Sequence, residues 1–332
     1  MTSRRRDFLK QSAFALGGFG AALQARLAIA QQLTRVRLTA GANIGYSHQY
    51  VGESAGIFRR HGIDGSVVLF DVGFLGTEAV VAGQAETAGT VEFPVLSLIA
   101  RGADLVIPAI MITADDLKIV ALRTITKAED FIGKKVGYIF GSSAHYAFDR
   151  YLSHFNVPRE RVNHVNVPAA EQVALIARGD IDAFVWLEPM VQRGLDVMRG
   201  RAHVMNPGIE VAYRTRTYLE MSRAWVDRNQ EATVNLLKAL IECDAFIRAE
   251  PQRTAEIAGR KLNIPAAQAA ALIQAVGFDW NIYLDAVALQ VFDQVGEWMR
   301  AQNRLTGAMP DMRRVFVPQY LRQIDPARVR GF

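Results

Sequence analysis

Short apolar runs and amphipathic stretches alternate along the first two-thirds of the chain. Val36 to Ala40 is a β-like run closed by Gly41, and a polar loop from Asn43 to His48 follows it. Tyr50, Val51, Ala55 and Phe58 then recur at helical spacing up to Gly62. Apolar runs over 66–70 and 88–91 read as strands, with a short helix over 77–82 between them that Gly83 closes. The same order returns downstream. A strand over 135–140 leads through Gly141-Ser142-Ser143 into a helix over 144–155, which Asn156 and Pro158 end. Strands over 162–167 and 181–186 then flank a helix over 171–178 closed by Gly179.

One segment is written twice. AVVAGQAETA (residues 79–88) and ALIARGDIDA (174–183) are each a helix end, a glycine turn, an acidic residue and a strand start. Both lead to a glutamate at the end of the next strand, Glu92 and Glu188. Alternating strands and helices predict parallel sheets with crossover helices, and two copies predict two α/β lobes with a cleft between them. The last third is different. Amphipathic helices are expected over 232–249, 254–262, 266–276 and 285–302, packed on the sheet of the first lobe.

Composition then narrows the classes. The net charge is +5, but Arg4, Arg5, Arg6, Lys10 and Arg26 against Asp7 carry +4 of it. What remains is too close to neutral to suggest a grip on nucleic-acid phosphates. One cysteine, Cys243, excludes an intrachain disulfide and a cysteine-based metal site. The six histidines show no ligand spacing, so neither a metal nor a cofactor is expected. The basic cluster belongs to an address. RRRDFLK (residues 4–10) resembles a twin-arginine export signal. A Gly- and Ala-rich apolar stretch from Ser12 to Leu23 and the small-residue site Ala28-Ile29-Ala30 complete it. The mature protein is expected to start near Gln31, in the periplasm, without a membrane span.

In parallel sheets ligands sit beyond the carboxyl ends of the strands, which selects the candidate site. From the first lobe it takes Tyr46 and His48, then Phe74 and Thr77, then Thr90 and Glu92. From the second it takes Gly141, Ser142, Ser143 and His145, then Trp186 and Glu188. Small residues at 141–143 let a ligand approach the free N–H groups of a helix start, or supply only a serine cap. His48 and His145 hold equivalent places and are expected to converge across the cleft on an acidic group. Tyr46 and Trp186 are the expected aromatic walls. Glu92 and Glu188 either pair with lobe residues such as Arg214 or Arg216, or meet an amine on the ligand. With no arginine in these loops, an organic solute is expected rather than a bare inorganic anion.

Four stretches together resemble the substrate-binding proteins of ABC transporters for nitrate, sulfonate, taurine and thiamin-pyrimidine-type solutes. They are GESAGIFRRHGID (52–64), GSSAHY (141–146), RGDIDAFVWLEP (178–189) and the run from Ala224 to Pro251. The resemblance implies an α/β, type II periplasmic-binding-protein fold, two lobes closing on a cleft about a hinge of two crossovers. The crossovers are then expected near Leu122 to Thr126 and near Val211 to Thr217. That makes lobe one residues 31–123 and 214–332, and lobe two residues 124–213. The resemblance also implies a structural role for Glu188, an inner-membrane permease as partner, a monomer, and capture without turnover. Enzymes and receptor-linked sensors on the same fold are the competing readings.

Overall fold

The computed structural model describes residues 33–70 and 73–332, and the expected export segment lies outside them. Twelve strands form two sheets among the described residues. The first seven are β1 (Thr34–Gly41), β2 (Ile63–Phe70), β3 (Thr87–Thr90), β4 (Leu105–Ala114), β5 (Lys118–Leu122), β6 (Lys135–Tyr138) and β7 (Asn163–Asn166). The others are β8 (Ala183–Trp186), β9 (Ala202–Val204), β10 (Thr215–Ser222), β11 (Asp279–Asp285) and β12 (Val329–Arg330). The larger sheet has the order β12-β11-β4-β10-β3-β1-β2, the smaller β7-β6-β8-β5-β9.

The written repeat is visible in this order. β2-β1-β3 in one sheet corresponds to β7-β6-β8 in the other. Beside each triplet lies an antiparallel strand, β10 next to β3 and β5 next to β8. Each of these strands enters its sheet directly after the chain leaves the other lobe. The sheets are therefore mixed, not purely parallel as alternation predicts.

β4 shows how sequence sets local geometry. All ten of its residues are buried between β10 and β11. Its Pro108 has no N–H to give, and the β10 register slips there, from Leu219 opposite Ala109 to Met221 opposite Val106. The neighbouring Ile107 carbonyl instead accepts a bond of 3.0 Å from the Val317 amide.

The first passage between lobes is Asp115–Leu117, not Leu122–Thr126, because β5 already pairs with β8 and β9 in the second sheet. The KIVAL run of β5 resumes the apolar pattern of β4 after Asp115 and Asp116, so hydropathy alone does not show that the two strands belong to different sheets. The return runs from Met205 to Arg214 and enters β10. The C-terminal region also departs from an all-helical reading, since β11 alternates buried positions with less buried ones and adds to the larger sheet. The helix Val287–Ala301 that follows packs on the helix Glu92–Ala100, as expected for lobe one, but also reaches the second lobe.

Phe58 illustrates the packing limits. A Cβ added at Gly52 would stand 2.3 Å from its ring, and one at Gly65 would stand 2.5 Å from it. The ring fills a slot between two glycines and has no free direction to yield. Gly52→Ala is therefore expected to destabilise the protein by about 1–3 kcal/mol, despite alanine's better helix propensity, as read from urea unfolding. An unchanged or raised stability would contradict this packing.

Candidate functional site

The carboxyl ends of both triplets face one seam. In lobe one the first residue to meet there is Tyr46, and it is an internal plug rather than a wall for ligand. Its ring occupies space left by three glycines: a Cβ would stand 2.9 Å from the ring at Gly41, 2.2 Å from the hydroxyl at Gly73 and 3.1 Å from the ring at Gly89. Its hydroxyl donates to the Gly89 carbonyl at 2.6 Å.

Thr77 and Thr90 are also buried, and both meet Glu220 of β10, Thr77 through its side chain and Thr90 through its backbone. The Thr90 amide donates to one carboxyl oxygen at 3.0 Å and the Thr77 hydroxyl to the other at 3.3 Å. Glu220 is fully buried, and burial, with the charge of Glu92 nearby, pushes its carboxyl far above the ordinary range.

Glu92 neither meets the cleft nor forms the expected salt bridge. It opens the helix Glu92–Ala100, is fully buried, and accepts from Tyr218 at 3.0 Å and Tyr213 at 3.2 Å. Burial raises its carboxyl, while these hydroxyls and the nearby Arg216 charge oppose the rise. Arg214 pairs with Asp115 instead, at 2.7 Å. Beside it the Thr215 hydroxyl donates to Asp116 at 2.6 Å. These two contacts tie the outgoing passage to the returning one.

The two histidines do not converge. His48 is fully buried within lobe one and pairs with Asp244 of the helix Gln230–Ala249, whose other oxygen accepts from the Ile282 amide at 2.9 Å. His145 does lie at the seam. Its Nδ1 accepts from the Gly141 amide at 3.1 Å, and its ring stacks on Tyr138 and Phe140. Burial first, then the charges of Arg159 and Arg304, lower it to about 3. It is a neutral, structural imidazole at physiological pH.

The Gly141-Ser142-Ser143 loop opens the helix Ser143–His154. The Ser142 hydroxyl accepts from the His145 amide at 3.4 Å and donates to the Ile139 carbonyl at 2.7 Å, so it serves as the cap. Gly141 has φ +82°, and a Cβ there would stand 2.4 Å from the Arg304 guanidinium. Trp186 is half-buried at the end of β8. Glu188 accepts from the Gln192 amide at 3.1 Å, in the first turn of the helix Met190–Met198.

Three rings close the seam. Phe93 and Tyr146 stand edge to face at 5.5 Å, and Trp298 meets Phe93 at 5.7 Å and Tyr146 at 5.4 Å. Trp298 also donates to Asp149 at 2.8 Å, joining the helix Val287–Ala301 of lobe one to the helix Ser143–His154 of lobe two. Beside these rings lies a cavity of 260 Å³ that brings Phe74 and Gly141 together from opposite lobes. Phe93, Glu78, Ser97 and Arg101 line it as well. Phe74 is 43 % exposed, so an aromatic face remains open there. Trp298, Asp149 and Arg304 were not selected from the sequence. A tryptophan on an amphipathic helix reads as core, and no local pattern marks one that crosses to another lobe.

This is the two-lobed α/β architecture of periplasmic binding proteins. The chain belongs to the NMT1-like family, whose model matches residues 30–262. It is similar to the taurine-binding periplasmic protein of Escherichia coli strain K12, with 39 % identity over 69 residues. That match spans only about a fifth of each protein, 20 % of this chain and 22 % of the relative. The fold is shared with the periplasmic aliphatic sulphonate binding protein SsuA from Escherichia coli. There the TM-score is 0.74 at 18 % identity, over 87 % of this chain and 99 % of that one. It is shared too with the desulfurization enzyme DSZB, at a TM-score of 0.68 and 16 % identity, over 89 % of this chain and all of that one.

The hinge supplies a test in pH. Burial pushes the Asp116 carboxyl from the ordinary 3.8 up to about 6, against the bond from Thr215. Between those values the folded protein keeps a proton that the unfolded chain has lost. Stability from the neutral carboxyl is fully present below 3.8 and is lost as pH rises through 6. Asp116→Asn keeps the acceptor and removes the charge. Its melting temperature is expected to exceed wild type at pH 7.5, with the difference vanishing near pH 3.5. An equal difference at both pH values would contradict the assignment.

Proposed function

We propose that this chain is the solute-capture component of an ABC importer, exported by a twin-arginine signal cleaved near Ala30. It works in the periplasm as a monomer, with lobe one made of residues 31–116 and 214–332 and lobe two of residues 117–213. It holds one small organic solute at the seam and delivers it to an inner-membrane permease. The observation that carries this reading is the interlobe cavity at the carboxyl ends of both sheets, in a chain of this family. Its chemistry suits a sulfonate- or taurine-like or aromatic solute. Phe74 and Phe93 cover an apolar body. Arg101 on the cavity wall and Arg304 against Gly141 favour an acidic group, and Glu78 favours an amine.

The fold shared with a desulfurization enzyme keeps a second reading in view, a periplasmic enzyme. The site residues weigh against it. Cys243 is fully buried, and burial pushes its thiol well up, away from the reactive thiolate. The Ser142 hydroxyl is engaged by the Ile139 carbonyl, and the His145 Nδ1 by the Gly141 amide. No activated nucleophile is assembled among the described residues at the seam.

A thermal-shift panel of taurine, alkyl and aromatic sulfonates and aromatic carboxylates tests the proposal. At a thousand times its Kd the solute adds about 4 kcal/mol, on the order of several degrees for a protein of this size. A selective rise is expected, with the solute recovered chemically unchanged. Conversion of the solute, or no response to any of these compounds, would contradict it.

A further inference from the structure

The aromatic cluster has a second side. There, a cavity of 230 Å³ lies between the helix Ser143–His154, the returning passage, the start of β10 and the helix Val287–Ala301. Phe93 lines the Phe74 cavity and Tyr146 lines this one, and the two rings meet edge to face at 5.5 Å. Three guanidinium groups line it, those of Arg150, Arg214 and Arg216, against the single carboxylate of Glu210. That carboxylate is engaged in its own turn, accepting from the Gly208 amide at 2.8 Å. Arg214 is paired with Asp115. Arg150 and Arg216 have no carboxylate partner in salt-bridge range among the described residues, and the Arg216 Nε is buried without an acceptor. A charged donor left in that state is costly unless something completes it.

We propose that this cavity is a binding pocket for a small oxyanion, distinct from the solute site, which fastens the two lobes together at the hinge. Guanidinium forks match the paired oxygens of sulfate, sulfonate or carboxylate, and the half-buried Arg216, whose Nε is buried without an acceptor, supplies the fixed one. Arg150 belongs to lobe two and Arg216 to lobe one, so one anion held by both bridges the seam. The pocket therefore takes its anion only when the lobes are together, and occupancy shifts the protein toward closure. By linkage the same anion raises affinity at the neighbouring solute cavity.

The test is a titration of the full-length mature protein with sodium sulfate against sodium chloride at matched ionic strength, read as the rise in melting temperature. Sulfate is expected to give a saturable rise that chloride does not. Arg216→Gln and Arg150→Gln are each expected to weaken half-saturation by about tenfold or more, the loss of one charge-assisted bond. Arg193→Gln, an exposed arginine on the helix Met190–Met198, is expected to keep the wild-type value. Arg150 is exposed on its helix, so its substitution reads binding even if the Arg216 variant folds poorly. A sulfate response equal to that of chloride would overturn the proposal. So would wild-type half-saturation in the Arg150 variant. The probe is sulfate rather than the solute, so either failure leaves capture in the Phe74 cavity standing.

Discussion

The chain passes between its two sheets twice, and the two passages are tied side by side. Asp115 holds Arg214, and Asp116 holds Thr215. The tie follows from topology. β4 and β10 are antiparallel neighbours in one sheet, while β5 and β9 are antiparallel neighbours in the other. The strands leaving one lobe must therefore enter the other together. Glu92 extends the tie into lobe one, because its buried carboxyl takes the hydroxyls of Tyr213 from the returning passage and Tyr218 from β10. A cleft between two lobes joined along the chain at this waist is the direct consequence.

What fills the seam is aromatic and polar in separate places. The Phe93, Tyr146 and Trp298 rings meet edge to face, an arrangement worth about 0.5–1.5 kcal/mol per pair beyond burial. Such contacts are enough to favour contact between lobes and weak enough to be undone. The Trp298 bond to Asp149 gives the contact a register. The charged groups lie to either side, with Arg101 and Glu78 at one cavity and Arg150 and Arg216 at the other.

The repeat was legible because it rests on glycine turns and strand ends, which local sequence specifies. The AVVAGQAETA and ALIARGDIDA segments lead into β3 and β8, which hold corresponding places in the two sheets. The first passage was not legible, because β4 and β5 are both apolar and only Asp115 and Asp116 mark the break. Sequence gives the place of each candidate residue along the chain but not the direction of its side chain. Loop polarity places Tyr46, Thr77, Thr90 and Glu92 at the strand ends, yet cannot say that they turn inward. Gly41 and two glycines distant in sequence, Gly73 and Gly89, accept Tyr46, and Glu220 from a strand beyond lobe two accepts from Thr77 and from the Thr90 amide. Phe74 and Gly141 line the interlobe cavity because their own loops carry them to the seam. Trp298 and Arg304 were missed because only the tertiary fold brings the C-terminal region across to lobe two.

The central claim is that the two lobes close on a solute about this waist. It is tested most directly by a distance between them. Val81 on lobe one and Val197 on lobe two are exposed and can each be replaced by cysteine for spin labelling. The native Cys243 is fully buried and stays unlabelled. Pulsed dipolar spectroscopy is expected to show a broad distance distribution without solute, and a shorter, narrower one at saturation. A distribution unchanged by a saturating solute would contradict capture by hinge closure.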